Sequence, residues 1–229
     1  MKINKFTRVL LLFVLVIVTM SGTLRAGELM DKVFINDIEA VKILLATGAD
    51  INEQDEEIGG AGKGATPLFI ACSYYEEMAK LLISKGADVN ITTYSGDSPL
   101  MAACFLSEDI VKLLLSKGAD INAKNKDETG VFTYCIMGIM QGRVSTALAE
   151  RLLSEGANVD EAPTSGEVAG YTPLIMAAYN QQYDLVKFLI AKGADVNAKA
   201  KDGSTALNKA TKTNDTTMVK LLKDLGAKE

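Results

Sequence analysis

The chain has 229 residues, with 24 basic and 29 acidic side chains and no histidine. A formal charge of −5 without a basic run argues against nucleic acid or anionic lipid as partners. The missing histidine removes the commonest general base and metal ligand, so acid–base and metal-assisted catalysis lose their usual residues.

Residues 1–26 differ in kind from the rest. Lys2, Lys5 and Arg8 precede a largely apolar run from Val9 to Met20, followed by small residues and Ala26. This pattern predicts a secretory signal peptide cleaved after Ala26, and the apolar run is short of the roughly 20 residues that span a bilayer. Cleavage would remove four basic residues and no acid, taking the charge from −5 to −9. Retention of the segment as a membrane anchor is the alternative.

From residue 28 a signature recurs. Gly-Ala-Asp or a close variant begins at Gly48, Gly86, Gly118, Gly156, Gly193 and Gly226, spaced by 38, 32, 38, 37 and 33 residues. Such a period marks an array of stacked units. The first unit, about 28–50, supplies a helix pair with no preceding cap motif, as suits a water-facing end. The second, 51–88, opens with a long loop from Glu53 to Ala65 and continues at Thr66-Pro67-Leu68-Phe69-Ile70-Ala71. Within that loop, Gly59 to Thr66 superficially suggests a phosphate loop, but Lys63 is followed by Gly64 and no strand precedes it. The nearby acids Asp55, Glu56 and Glu57 lack the ligand spacing of a calcium loop.

The third unit, 89–120, is the clearest. Ser98 caps a first helix with Pro99 in its first turn. A break at Ser107-Glu108-Asp109 precedes a second helix with Ile110, Val111, Leu114 and Leu115 on one face, and Gly118 ends it. The fourth unit, 121–158, departs most. Thr129-Gly130-Val131 replaces the Thr-Pro-Leu pattern, and about six extra residues between Cys135 and Ala149 predict lengthened helices or a bulge. The fifth, 159–195, has another long loop from Glu161 to Tyr171 and then Thr172-Pro173-Leu174-Ile175-Met176-Ala177. In the sixth, 196–227, Lys223 replaces the Leu or Ile of earlier units, again as suits an exposed end.

These motifs resemble the ankyrin repeat, whose hallmark is Thr-Pro-Leu-His-x-Ala, and the chain looks like an exported, bacterial-type member of that family. The resemblance covers about residues 28–227. It implies an all-α solenoid of about six helix–turn–helix units with caps at both ends, whose loops project as fingers. The family's histidine is replaced by Phe69, Met101, Phe132, Ile175 and Asn208.

Cys72, Cys104 and Cys135 each lie six residues after the Thr or Ser that opens a unit. Stacked helices about 8–10 Å apart exceed the roughly 7 Å reach of a disulfide, so these are expected to be buried thiols. The residue after each, near the end of the first helix, is implied by the resemblance to line a concave face. Across the units those positions hold Phe34, Ser73, Phe105, Ile136, Tyr179 and Lys212, followed by Ile35, Tyr74, Leu106, Met137, Asn180 and Thr213. The resulting apolar stripe marks Phe34, Tyr74, Phe105, Leu106, Ile136, Met137 and Tyr179 as candidate partner-binding residues. Burial of the stripe under the long fingers or the irregular fourth unit is the competing expectation.

The sequence thus points to an exported, non-enzymatic protein-binding scaffold. It is expected to be monomeric and cofactor-free, to bind no metal, to act in the periplasm or outside the cell, and to touch no membrane after cleavage. A membrane-anchored or secreted effector that binds a host protein is the alternative.

Overall fold

Ten of the twelve described helices are followed, two residues past their last, by a residue in the left-handed region. The computed structural model describes residues 27–56, 63–166 and 168–228. The expected signal segment 1–26 and residues 57–62 of the first long finger, which include one of the three clustered acids and the start of the glycine-rich stretch, lie outside the described residues. Within them the fold is all-helical, with an isolated bridge between Lys124 and Gly130 in place of any strand.

The helices form six pairs: α1 (Glu28–Phe34) with α2 (Ile38–Ala46), α3 (Pro67–Tyr74) with α4 (Glu76–Ser84), and α5 (Pro99–Ala103) with α6 (Glu108–Ser116). They continue with α7 (Val131–Met140) and α8 (Thr146–Ser154), α9 (Pro173–Tyr179) and α10 (Tyr183–Ala191), and α11 (Ala206–Lys212) and α12 (Thr216–Asp224). The odd-numbered, inner helices stack in chain order, each also packed on its even-numbered, outer partner.

The Gly-Ala-Asp signature is explained by what it closes. All six of its glycines have φ between 85° and 101°, the left-handed region that glycine adopts without strain. The amide of the next residue, Ala49, Ala87, Ala119, Ala157, Ala194 or Ala227, returns to the carbonyl of Leu44, Leu82, Leu114, Leu152, Leu189 or Leu222 at 2.9–3.1 Å. Those six leucines are buried in a row through the array, each contributing about 2 kcal/mol by burial. Two residues past the signature, Asn52 and Asn90 accept the amides of Asp88 and Asp120 in the next unit, both at 2.9 Å. Asp160 and Asn197 do the same for Asp195 and Lys228. One short motif therefore ends an outer helix and ties its unit to the next.

Inner-helix starts divide into two kinds. Thr66, Ser98, Thr172 and Thr205 accept the amide of the third helical residue through their own hydroxyls at 3.2–3.3 Å. In the last of these, Asn208 returns the bond to the Thr205 amide at 3.0 Å, so this unit keeps a polar exchange at the histidine position. α1 and α7 begin instead at Gly27 and Gly130, which have no side-chain acceptor. There a glutamate of the following unit fills the role. Glu53 accepts from the amide of Met30 at 3.1 Å, and Glu161 accepts from the amide of Thr133 at 2.7 Å and its hydroxyl at 3.0 Å.

This start also corrects the expected alignment of the fourth unit. The helix opens at Gly130, not Thr129: the amide of Tyr134 bonds to the Gly130 carbonyl as that of Ile70 does to Thr66. The finger confirms the shift, because Asn125 pairs with Thr129 as Thr93 pairs with Asp97. Cys135 is therefore the counterpart of Ala71 and Ala103, one position before Cys72 and Cys104. Ile136 takes the buried position of those two cysteines and leaves the expected stripe. The extra residues appear as predicted, in a ten-residue α7 and a longer turn after it. In the sixth unit, Lys223 is exposed where Ile83 is buried.

Candidate partner-binding face

The inner helices carry no charged residue in α3, α5, α7 or α9. Their carboxyl ends lie along one edge of the stack, and the side chains there are unusually apolar for water. Ile35 is 67% exposed, Tyr74 65%, Tyr179 50% and Phe34 38%. Phe105, Leu106 and Met137 are half-buried. Ile136 is 0% exposed and cannot meet a partner. With the register corrected, Met137 and Gly138 stand where Ser73 and Tyr74 stand in the second unit.

A hollow of about 300 Å³ opens beside this edge over α5, lined by Phe69, Ser73, Tyr74, Asp97, Met101, Ala102, Phe105 and Tyr134. It exists because α5 presents Ala102 where neighbouring inner helices present Ile70 and Tyr134. The Phe105 and Tyr134 rings meet edge-on, with centroids 5.9 Å apart. Tyr74 packs against Tyr75 at 6.0 Å, and the Tyr75 hydroxyl donates to the Phe34 carbonyl at 2.8 Å, which anchors the first two units to one another.

Asp97 is the polar element of the hollow. Its Oδ1 accepts from the Tyr134 hydroxyl at 2.6 Å and from Asn125 Nδ2 at 2.8 Å, and its Oδ2 accepts from Ser95 Oγ at 2.7 Å. Burial and the Asp97 carboxylate together push the Tyr134 hydroxyl above the usual phenol range, so it acts as a fixed donor. The structure thus brings Tyr74 and Phe105 together, keeps Tyr179 two units away, and adds Phe69, Asp97, Ala102 and Tyr134. Two of these were within reach of the sequence. Phe69 lies four residues before Ser73, and Tyr134 three before Met137, both same-face spacings on a helix.

Nothing else in the described residues resembles a reactive centre. All three cysteines are buried, and desolvation pushes the Cys104 thiol up to about 12 and those of Cys72 and Cys135 higher still. Thiols held protonated in this way are poor nucleophiles. No group of three His, Cys, Asp or Glu side chains converges for a metal among the described residues. No helix there is long and apolar enough to cross a membrane.

Known proteins agree with this architecture. A family model described as ankyrin repeats (3 copies) matches residues 29–125 and 136–229. Protein phosphatase 1 regulatory subunit 27 of Homo sapiens is 44% identical over 72 residues, which are 31% of this chain and 43% of that protein. Ankyrin repeat protein OPG189 of Monkeypox virus is 47% identical over 51 residues, 22% of this chain and 8% of that protein. Ankyrin repeat and SAM domain-containing protein 6 of Mus musculus is 36% identical over 77 residues, 33% of this chain and 8% of that protein. The chain spans less than half the length of each of these relatives. With stacked helix pairs, glycine-closed outer helices and hydroxyl-capped inner ones all present, the chain belongs to the ankyrin repeat family, a scaffold for protein–protein interaction.

Proposed function

We propose that this chain is an exported, non-enzymatic scaffold that grips a protein partner on the inner-helix face and fingers. The observation that carries the reading is the exposure of Phe34, Ile35, Tyr74 and Tyr179 at the ends of the inner helices, with a hollow opening between Tyr74 and Phe105. Aromatic side chains left in water at the mouth of a hollow supply contact area at small ordering cost. A human relative's name describes a regulatory subunit of a phosphatase. That supports a role exerted by occupying another protein's surface. The scaffold acts as a monomer, and the basic-then-apolar pattern of residues 1–26 directs it to the periplasm or outside the cell.

Affinity capture from the native envelope tests the face. Tyr74→Asp combined with Tyr179→Asp is expected to lose the captured partner while the melting curve stays within a few degrees of wild type. Undiminished capture by this variant would place the partner elsewhere. Amino-terminal sequencing tests export. A mature chain starting near residue 27 supports it, whereas an intact Met1 in the membrane fraction supports the anchored alternative.

A further inference from the structure

We propose that the hollow over α5 receives a lysine or arginine side chain of the partner, held between aromatic rings and the Asp97 carboxylate. The proposal rests on the reading that the partner docks on the inner-helix face, and it adds the chemistry of the residue inserted there. Asp97 is only 8% exposed, and its three hydrogen-bond donors, Tyr134, Asn125 and Ser95, are all neutral. Among the described residues no Lys or Arg nitrogen lies within ion-pair distance of it. A carboxylate offers about four acceptor positions, so three donors leave one for an incoming N–H. Phe69, Tyr74, Phe105 and Tyr134 present ring surface around the same space, and cations are attracted to such faces.

The molecule contains an internal version of this arrangement. In the fifth and sixth units, Tyr171 occupies the position of Asp97 and Lys209 that of Tyr134. There the Lys209 ammonium sits 4.4 Å from the Tyr171 ring centroid and 3.1 Å from the Asp202 carboxylate. The same register positions between the third and fourth units hold an anion and a ring with no cation between them. The side chain missing from the pattern is the one a partner would bring. The net charge of −5 favours approach of a basic segment.

A random 12-residue peptide library selected on immobilised full-length protein tests this directly. Selected peptides are expected to share one Lys or Arg flanked by apolar residues. Replacing that residue with norleucine is expected to weaken binding at least tenfold. Asp97→Asn, which keeps an acceptor for the Tyr134 hydroxyl, should weaken it similarly, and Ala102→Leu should block it by filling the hollow. The norleucine peptide is measured on wild-type protein, so it decides the question even where a variant fails to fold. Three outcomes overturn the proposal: retained peptides without a basic residue, equal binding by the norleucine peptide, or no retained peptide at all. If the retained peptides lack a basic residue yet are lost on Tyr74→Asp, the docking face stands and only the cationic pocket falls. If they are unaffected by Tyr74→Asp, the docking face falls as well.

Discussion

The third and fourth units build the same helix pair by different means. In the third, Ser98 caps its own short inner helix, Gly96 turns the finger at φ 89°, and Ala102 leaves a hollow. In the fourth, the inner helix is twice as long, Glu161 of the next unit supplies the cap, and Glu128 turns the finger at φ 59°. What both preserve is an acceptor at the third amide of the inner helix and close approach to the neighbouring unit. The sequence motif is one way to meet those needs, and the array tolerates another when a neighbour compensates.

Among the described glycines, Gly138 leaves the least room for a Cβ, and it lies between these two units, so its substitution is expected to have the largest effect. A Cβ at Gly138 would come 2.2 Å from the Cys104 carbonyl oxygen, which is backbone and cannot rotate away. Gly138→Ala is expected to lower stability by about 3 kcal/mol, read as a shifted denaturant midpoint. A neutral outcome would mean that the two units slide freely.

Glu161 tests the borrowed cap. Glu161→Ala strands the buried Thr133 amide and hydroxyl, for an expected loss of about 2 kcal/mol, against about 1 kcal/mol for Ser98→Ala. Gly130→Ser is expected to be harmful alone, because its Cβ would meet the Glu161 carboxylate, and to rescue the alanine variant by restoring a cap in place. Equal losses for the alanine variants, with no rescue, would remove the distinction between the two kinds of unit.

The same carboxylate makes a prediction about pH. Burial raises the Glu161 pKa, outweighing the Thr133 hydrogen bonds. A carboxyl group whose folded pKa is raised stabilises most when protonated, and that contribution is lost as pH rises through the folded pKa. Wild type is therefore expected to gain stability over Glu161→Gln as pH falls from about 7 to about 4. A difference independent of pH would contradict the assigned burial.

The smallest effect concerns the finger. Glu128 is a left-handed non-glycine residue in the place of Gly96; its amide keeps the turn bond to the Asn125 carbonyl at 2.9 Å, and its side chain makes an exposed pair with Lys124 at 3.5 Å. Glu128→Gly is expected to raise stability by about 0.5 kcal/mol, since relief of strain exceeds the entropy glycine adds to the unfolded chain. A lower melting temperature would show that the ion pair matters more than the backbone.

Much of this was legible in the chain itself. The repeating Gly-Ala step marks every outer-helix end because only local backbone geometry is involved. The hydroxyl caps at Thr66, Ser98, Thr172 and Thr205 are equally local. The borrowed caps had a readable signal too: Glu53 and Glu161 stand three residues after the signature where the other units carry Ile91, Ala123 and Ala198. Reading it required knowing that the acceptor crosses between units. Ile136 was misplaced for a related reason. Thr129 looks like a helix cap, but the finger's own hydrogen bonds consume it, and the helix starts one residue later.

Sequence alone determined the array, its period, the order of helices and the apolar character of one edge, since each follows from local conformation or from spacing along a helix. Only tertiary structure decided which of those apolar side chains reach water and that Asp97, Tyr134 and Ala102 share one hollow. Those properties depend on how units 28 or more residues apart are set against each other, where a one-residue change of register exchanges a buried face for an exposed one.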